Sequence, residues 1–119
     1  MRKSSNLKSS LKKRSKEYEV IFDIDLLALR NMILKKYGKK CRYCTELLVV
    51  NNMACDHINP MSMGGQSISR NLQIICDRCN RRKGPLTHKE YYVICTFLDN
   101  QPEHVRAYVN RKLSGKESF

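Results

Sequence analysis

Four cysteines fall in two matched pairs, Cys41-Arg-Tyr-Cys44 and Cys76-Asp-Arg-Cys79. A C-x-x-C turn supplies two thiolates from one tight loop, and two such turns complete the tetrahedral shell that zinc prefers. Cys41, Cys44, Cys76 and Cys79 are therefore expected to form a closed structural Zn²⁺ site. The 31 residues between the pairs exceed the roughly 15–20 of common zinc ribbons, so a sizeable unit is inserted there. That insert carries Asp56-His57, a carboxylate beside an imidazole in an otherwise apolar stretch, and further on Asn71. Asn80 stands directly after the last cysteine and Lys83 three residues later. A structural zinc site needs none of these groups. Singly, each has an ordinary reading: His57 as a satisfied core residue or a spare zinc ligand, Asp56 as a turn former. Chemically, an imidazole with an unperturbed pKa of about 6.5 can take a proton from water near neutral pH. Cys55 and Cys95 stand alone and read as ordinary buried thiols.

These groups need elements to hold them. Leu26, Leu29, Ile33 and Tyr37 share one helical face, with Asp23 or Asp25 as N-cap and Gly38 just past the end. A helix over about residues 24–37 is expected. The segment 46–60 predicts two short strands, Leu47–Val50 and Met53–Ile58, joined by an Asn51-Asn52 turn. Pro60 and Gly64-Gly65 mark a loop running to about Arg70, and 71–76 is a short apolar stretch. Residues 80–84 predict one or two helical turns ending at Gly84-Pro85. Thr87 and Glu90 have capping-box spacing for a helix over 87–100, with Tyr91, Ile94, Cys95 and Leu98 on one face. A last helix starts near Pro102, with Val105, Tyr108, Val109 and Leu113 on one side. Neighbours on a regular strand point to opposite faces, so Asp56 and His57 share a site only where the strand twists or ends.

The charge balance narrows the partners. The chain has 23 Lys and Arg against 11 Asp and Glu, a formal net charge of +12. Seven of the basic residues and no acid lie in residues 1–16. That composition buries too little apolar surface to offset its ordering entropy, so residues 1–18 are expected to be a disordered basic tail that contacts phosphates. A solubilising or organelle-targeting tail is the blander alternative. The rest of the chain, 19–119, is one small domain. No apolar run is long enough to span a bilayer and no secretion signal is visible, so a cytoplasmic protein without membrane contact is expected. A polyanion partner would bind with strong salt dependence.

Taken together, Cys41-x-x-Cys44, Asp56-His57-Ile58-x-Pro60, Gly64-Gly65, Asn71-Leu72-Gln73 and Cys76-x-x-Cys79-Asn80-x-x-Lys83 resemble the HNH endonuclease family in order and approximate spacing. The resemblance covers a motif core of residues 41–84 and leaves both ends of the chain untouched. It implies an α+β fold: a small ββα-metal core stapled by the four-cysteine zinc site, flanked by an N-terminal helix and two C-terminal helices. It also implies a DNA endonuclease in which His57 is the general base and Asn71 orients it. Asp56 and Asn80 would then be the ligands of a catalytic divalent ion. Asn80 occupies the place of the family's final His or Asn, making this an H-N-N variant. An amide oxygen with a carboxylate suits Mg²⁺ or Mn²⁺. Arg78, Arg81, Arg82 and Lys83 crowd the start of the metal-binding helix and are expected to hold phosphates of nucleic acid. A phage- or bacterium-encoded protein is expected, as monomer or homodimer; the sequence distinguishes neither these states nor nicking from double-strand cleavage. A zinc-stabilised DNA-binding module without catalysis is the alternative. It shares the basic charge and the cysteines but leaves Asp56, His57, Asn71 and Asn80 unexplained.

Overall fold

The structure, a computed structural model, describes residues 2–114. The helices are α1 (Arg2–Glu17), α2 (Leu26–Lys36), α3 (Asp77–Lys83), α4 (His88–Asp99) and α5 (Glu103–Leu113). The strands are β1 (Phe22–Asp23), β2 (Met53–His57), β3 (Ser67–Ile68) and β4 (Leu72–Cys76). β2 and β4 pair antiparallel, with Asp56 opposite Gln73 and His57 opposite Leu72, and α3 follows β4 directly. This is the expected ββα core within an α+β fold. A second ladder, parallel, pairs β1 with β3 and sets Phe22 against Ser67.

Where the structure describes the segment expected to be a disordered tail over 1–18, from Arg2 onward, it is not disordered. Arg2–Glu17 is helical, and Ser4, Leu11 and Ser15 are buried. These residues, with Leu7, repeat at helical spacing, so the helix docks along a narrow stripe of two leucines and two serines. Small side chains allow close approach, and Arg14 and Lys16 in the last turn complement the helix dipole. Composition alone missed a helix whose ordering cost is met by tertiary contact.

The hairpin also differs from expectation. Leu47–Val50 is not a strand, and β2 finds its partner across the insert in β4. Asn52 is the cause. Its side chain accepts from Val49 N at 2.8 Å and donates to Leu47 O at 2.9 Å, occupying backbone groups that a neighbouring strand would need. Leu48 alone of that run is buried. Other local signals hold. Asp25 caps α2 by accepting from Ala28 N, and Gly38 takes a φ of +78° past its end. Thr87 and Glu90 form the reciprocal capping box of α4. In α5 Tyr108 is exposed rather than packed. The core gathers Leu11, Leu29, Ile33, Leu48, Met53, Ile74, Ile75 and Tyr91 between α1, α2, the hairpin and α4. Among the described residues no helix is long and apolar enough to cross a membrane.

Candidate active site and metal centre

The four cysteines converge from a loop, a strand end and a helix. Cys41 and Cys44 lie in the loop after α2, Cys76 ends β4, and Cys79 lies in α3. Their sulfur atoms all lie within 4.8 Å of one another. Zn–S bonds of about 2.3 Å in a tetrahedron put sulfurs about 3.8 Å apart. The Sγ atoms of Cys44 and Cys76 are 3.7 Å apart, so the cluster has the right size for one metal ion. Its electrostatics point the same way. The thiol of Cys79 hydrogen-bonds Cys41 and holds Cys41 down at about 4, against desolvation. Burial raises Cys76 to about 11, and donation to Cys41 followed by burial raises Cys79. One thiolate, Cys41, beside the protonated thiols of Cys76 and Cys79 is what these crowded sulfurs adopt by themselves; a bound dication would favour ionisation of its thiol ligands. Cys55 is buried and its thiol is pushed up to about 12 by desolvation, while Cys95 is half-buried.

β2 ends at His57, and the side chains of Asp56 and His57 leave it toward different partners. The Asp56 carboxylate accepts from Gln73 Nε2 at 2.9 Å and pairs with Lys83 Nζ at 3.1 Å. Gln73 Nε2 also donates to Tyr43 Oη at 2.9 Å, and Tyr43 Oη lies 2.7 Å from His88 Nδ1. The His57 ring turns instead to Ser67, with Nε2 2.8 Å from Oγ. Even so, Asp56, His57 and Asn80 line one cleft of about 280 Å³, together with Arg14, Tyr18 and Met61. The amide side chain of Asn80 has no hydrogen-bond partner among the described residues. Burial, then the positive charges of Arg14 and Lys83, lower the His57 imidazole to about 4. It is therefore neutral at pH 7 and can accept a proton.

Asn71 holds the chain immediately after His57. Its backbone O accepts from Ile58 N at 2.8 Å and its Oδ1 from Asn59 N at 2.9 Å. Its Nδ2 donates to Asn59 O and Gln66 O, closing both ends of the intervening loop. Within that loop Gly65 passes so near Asn59 that a Cβ would sit 1.8 Å from its carbonyl oxygen. A side chain at that position would open the clamp.

Residues 41–91 match the family model of the HNH endonucleases. The match takes in the cysteine cluster, β2, β4, α3 and the start of α4, less than half of the chain. No curated protein matches the sequence. The HNH segment supports a nuclease-type domain whose substrate is nucleic acid.

Of the basic residues expected to meet phosphates beside the HNH motif, Lys83 is a correction. It is 1% exposed, and its ammonium donates to the Asp56 carboxylate, to His57 O at 2.8 Å and to Leu86 O at 2.7 Å. It is an internal tie between β2 and the end of α3, out of reach of a phosphate. Arg78 is ion-paired with Glu46 beside the cysteine cluster, and Arg82 Nε donates to Ser114 Oγ at 2.8 Å, joining α3 to the end of α5. Arg81 is exposed with no side-chain partner among the described residues. Arg14, from outside the HNH segment, lines the cleft beside His57 and Asn80. Sequence reasoning missed Arg14 as a cleft residue, missed Ser15 and Ser67 altogether, and named Gln73 in the motif without giving it a role. The α1 stripe was a usable signal for Ser15. Gln73 follows once β2 and β4 are paired in register. Nothing local marks Ser67.

Proposed function

We propose that this protein is a metal-dependent DNA endonuclease that hydrolyses phosphodiester bonds, with His57 as general base. The observation that carries the reading is one cleft to which the HNH-matched segment contributes a buried neutral imidazole, a carboxylate and an unengaged amide. His57 removes a proton from water aligned on the scissile phosphate. Asn71 keeps His57 at the cleft by clamping residues 58, 59 and 66. Arg14 at the cleft and Arg81 on α3 hold flanking phosphates.

The donor set fits a hard ion. Asp56 and Asn80 offer two oxygens, one anionic and one neutral, which suits Mg²⁺ or Mn²⁺ with most of its waters kept. When bound, such an ion supplies Lewis-acid stabilisation of the phosphate and of the leaving 3′ oxygen. The four cysteines hold a separate, structural Zn²⁺, because all their positions are filled by protein.

A second reading has one observation in its favour. The Asp56 carboxylate is already paired with Lys83, which suits a zinc-stabilised DNA-binding module without catalysis. A supercoiled-plasmid nicking assay with Mg²⁺ or Mn²⁺ separates the two. The nuclease reading expects nicking by the native protein and loss of at least about 10²-fold in a folded His57→Ala variant. DNA binding without cleavage under either ion would establish the binding module instead. Full activity with Zn²⁺ and none with Mg²⁺ would refute the oxygen-donor assignment.

A further inference from the structure

A chain of hydroxyls runs from α1 to the imidazole of His57. Ser15 Oγ lies 2.6 Å from the carbonyl oxygen of Leu11 and 2.7 Å from Ser67 Oγ. Ser67 Oγ lies 2.8 Å from His57 Nε2. All three side chains are buried: Ser15 is 1% exposed, Ser67 0% and His57 5%. The backbone of Ser67 is held too, since its N–H donates to Ile21 O at 2.8 Å in the β1–β3 ladder.

The proton count gives this chain a direction. A carbonyl oxygen only accepts, and each serine has a single hydroxyl proton. Ser15 therefore spends its proton on Leu11 O. The contact between the serines must then be filled by the proton of Ser67. Ser67 has none left for the ring, so it accepts from an N–H at Nε2. In the reverse direction Ser15 and Leu11 would leave two oxygens 2.6 Å apart with no proton between them.

We infer that Ser15 and Ser67 are positioning residues that hold His57 as the Nε2–H tautomer and leave the Nδ1 lone pair as the basic one. The inference rests on the reading of His57 as general base, and it makes α1, which lies outside the HNH-matched segment, part of the catalytic apparatus. The physical requirement is general. A neutral imidazole has one donor and one acceptor nitrogen, and the partner of one nitrogen decides which role the other plays. A base with its lone pair on the wrong nitrogen cannot take the proton of water, however well the ring is placed.

The tautomer can be read without any turnover. Ring-nitrogen NMR on the zinc-loaded full chain at neutral pH, with the His57 signals assigned by their loss in His57→Gln, is expected to show a protonated Nε2 and an unprotonated Nδ1. Ser15→Ala removes the acceptor of Ser67, freeing its proton to donate to Nε2. The Nδ1–H form should then become populated, and nicking should fall at least about 10-fold with little change in KM. Ser67→Ala should also mix the tautomers, whereas Ser67→Thr keeps the hydroxyl and should restore both the native spectrum and most of the activity. A native spectrum with Nδ1 protonated would overturn the inference. So would a folded Ser15→Ala or Ser67→Ala variant that keeps the native tautomer and full activity. A native protein that shows the Nε2–H form but never nicks DNA leaves the hydroxyl chain standing and rejects the nuclease reading instead.

Discussion

Replacing Lys83 by methionine isolates the correction the fold makes to its role. The methionine keeps the length of the side chain and removes only the ammonium. That ammonium is fully buried, 3.1 Å from an Asp56 carboxylate that is itself 6% exposed. Removing one partner of such a pair leaves an uncompensated buried charge, which costs about 3–5 kcal/mol. His57 O and Leu86 O also lose a donor, at about 1 kcal/mol each where nothing replaces it. These costs overlap because Asp56 and the carbonyls can relax together, so a net loss of about 4 kcal/mol is expected. That is a large share of the roughly 5–15 kcal/mol typical of a whole domain. Urea denaturation in zinc-replete buffer measures it, with Arg81→Met as the exposed control expected within about 0.5 kcal/mol of native. Adding Asp56→Leu to Lys83→Met removes both charges and should recover much of the loss. A Lys83→Met protein within about 1 kcal/mol of native, or no less stable than Arg81→Met, would refute the reasoning. Retention of native stability with weakened DNA binding would restore Lys83 to the phosphate contacts.

Other perturbations test the remaining parts. The imidazole of His57 titrates near 6.5 when free and near 4 when folded, so the unfolded chain takes up its proton first. Relative to His57→Gln, the native protein should lose stability as pH falls from 6.5 to 4, by at most about 3 kcal/mol, and show no difference above 6.5; parallel stability curves would contradict the burial of the ring. Arg14→Ala should weaken DNA binding and lower the slope of log K against log salt by about 0.9, as expected for one lost phosphate contact; an unchanged slope would remove α1 from the interface. Treatment with a strong zinc chelator should abolish cooperative unfolding of the segment containing β2, β4 and α3, read by circular dichroism and restored by added Zn²⁺; an unchanged melting curve would make the cluster four plain thiols.

What the sequence alone determined about this protein is local or carried by spacing. Two C-x-x-C turns must each present two sulfurs on one side, wherever the chain takes them. The Asp25 and Thr87–Glu90 caps act within three residues, and the α2 stripe is periodic, so these helices were legible. The order of Asp56, His57, Asn71 and Asn80 was legible as a motif, and the fold brings Asp56, His57 and Asn80 to one cleft, with Asn71 clamping the adjoining loop. Only the tertiary structure decided the rest. Lys83 looks like its arginine neighbours in sequence, yet a carboxylate and a carbonyl from β2, 27 and 26 positions earlier, make its burial favourable. Residues 2–17 looked too polar to fold, and they do so because α2 and the core accept their narrow stripe. Ser67 carries no signal at all; the β1–β3 ladder sets it between α1 and His57. Desolvation and long-range hydrogen bonding depend on which surfaces meet, and no local pattern encodes that.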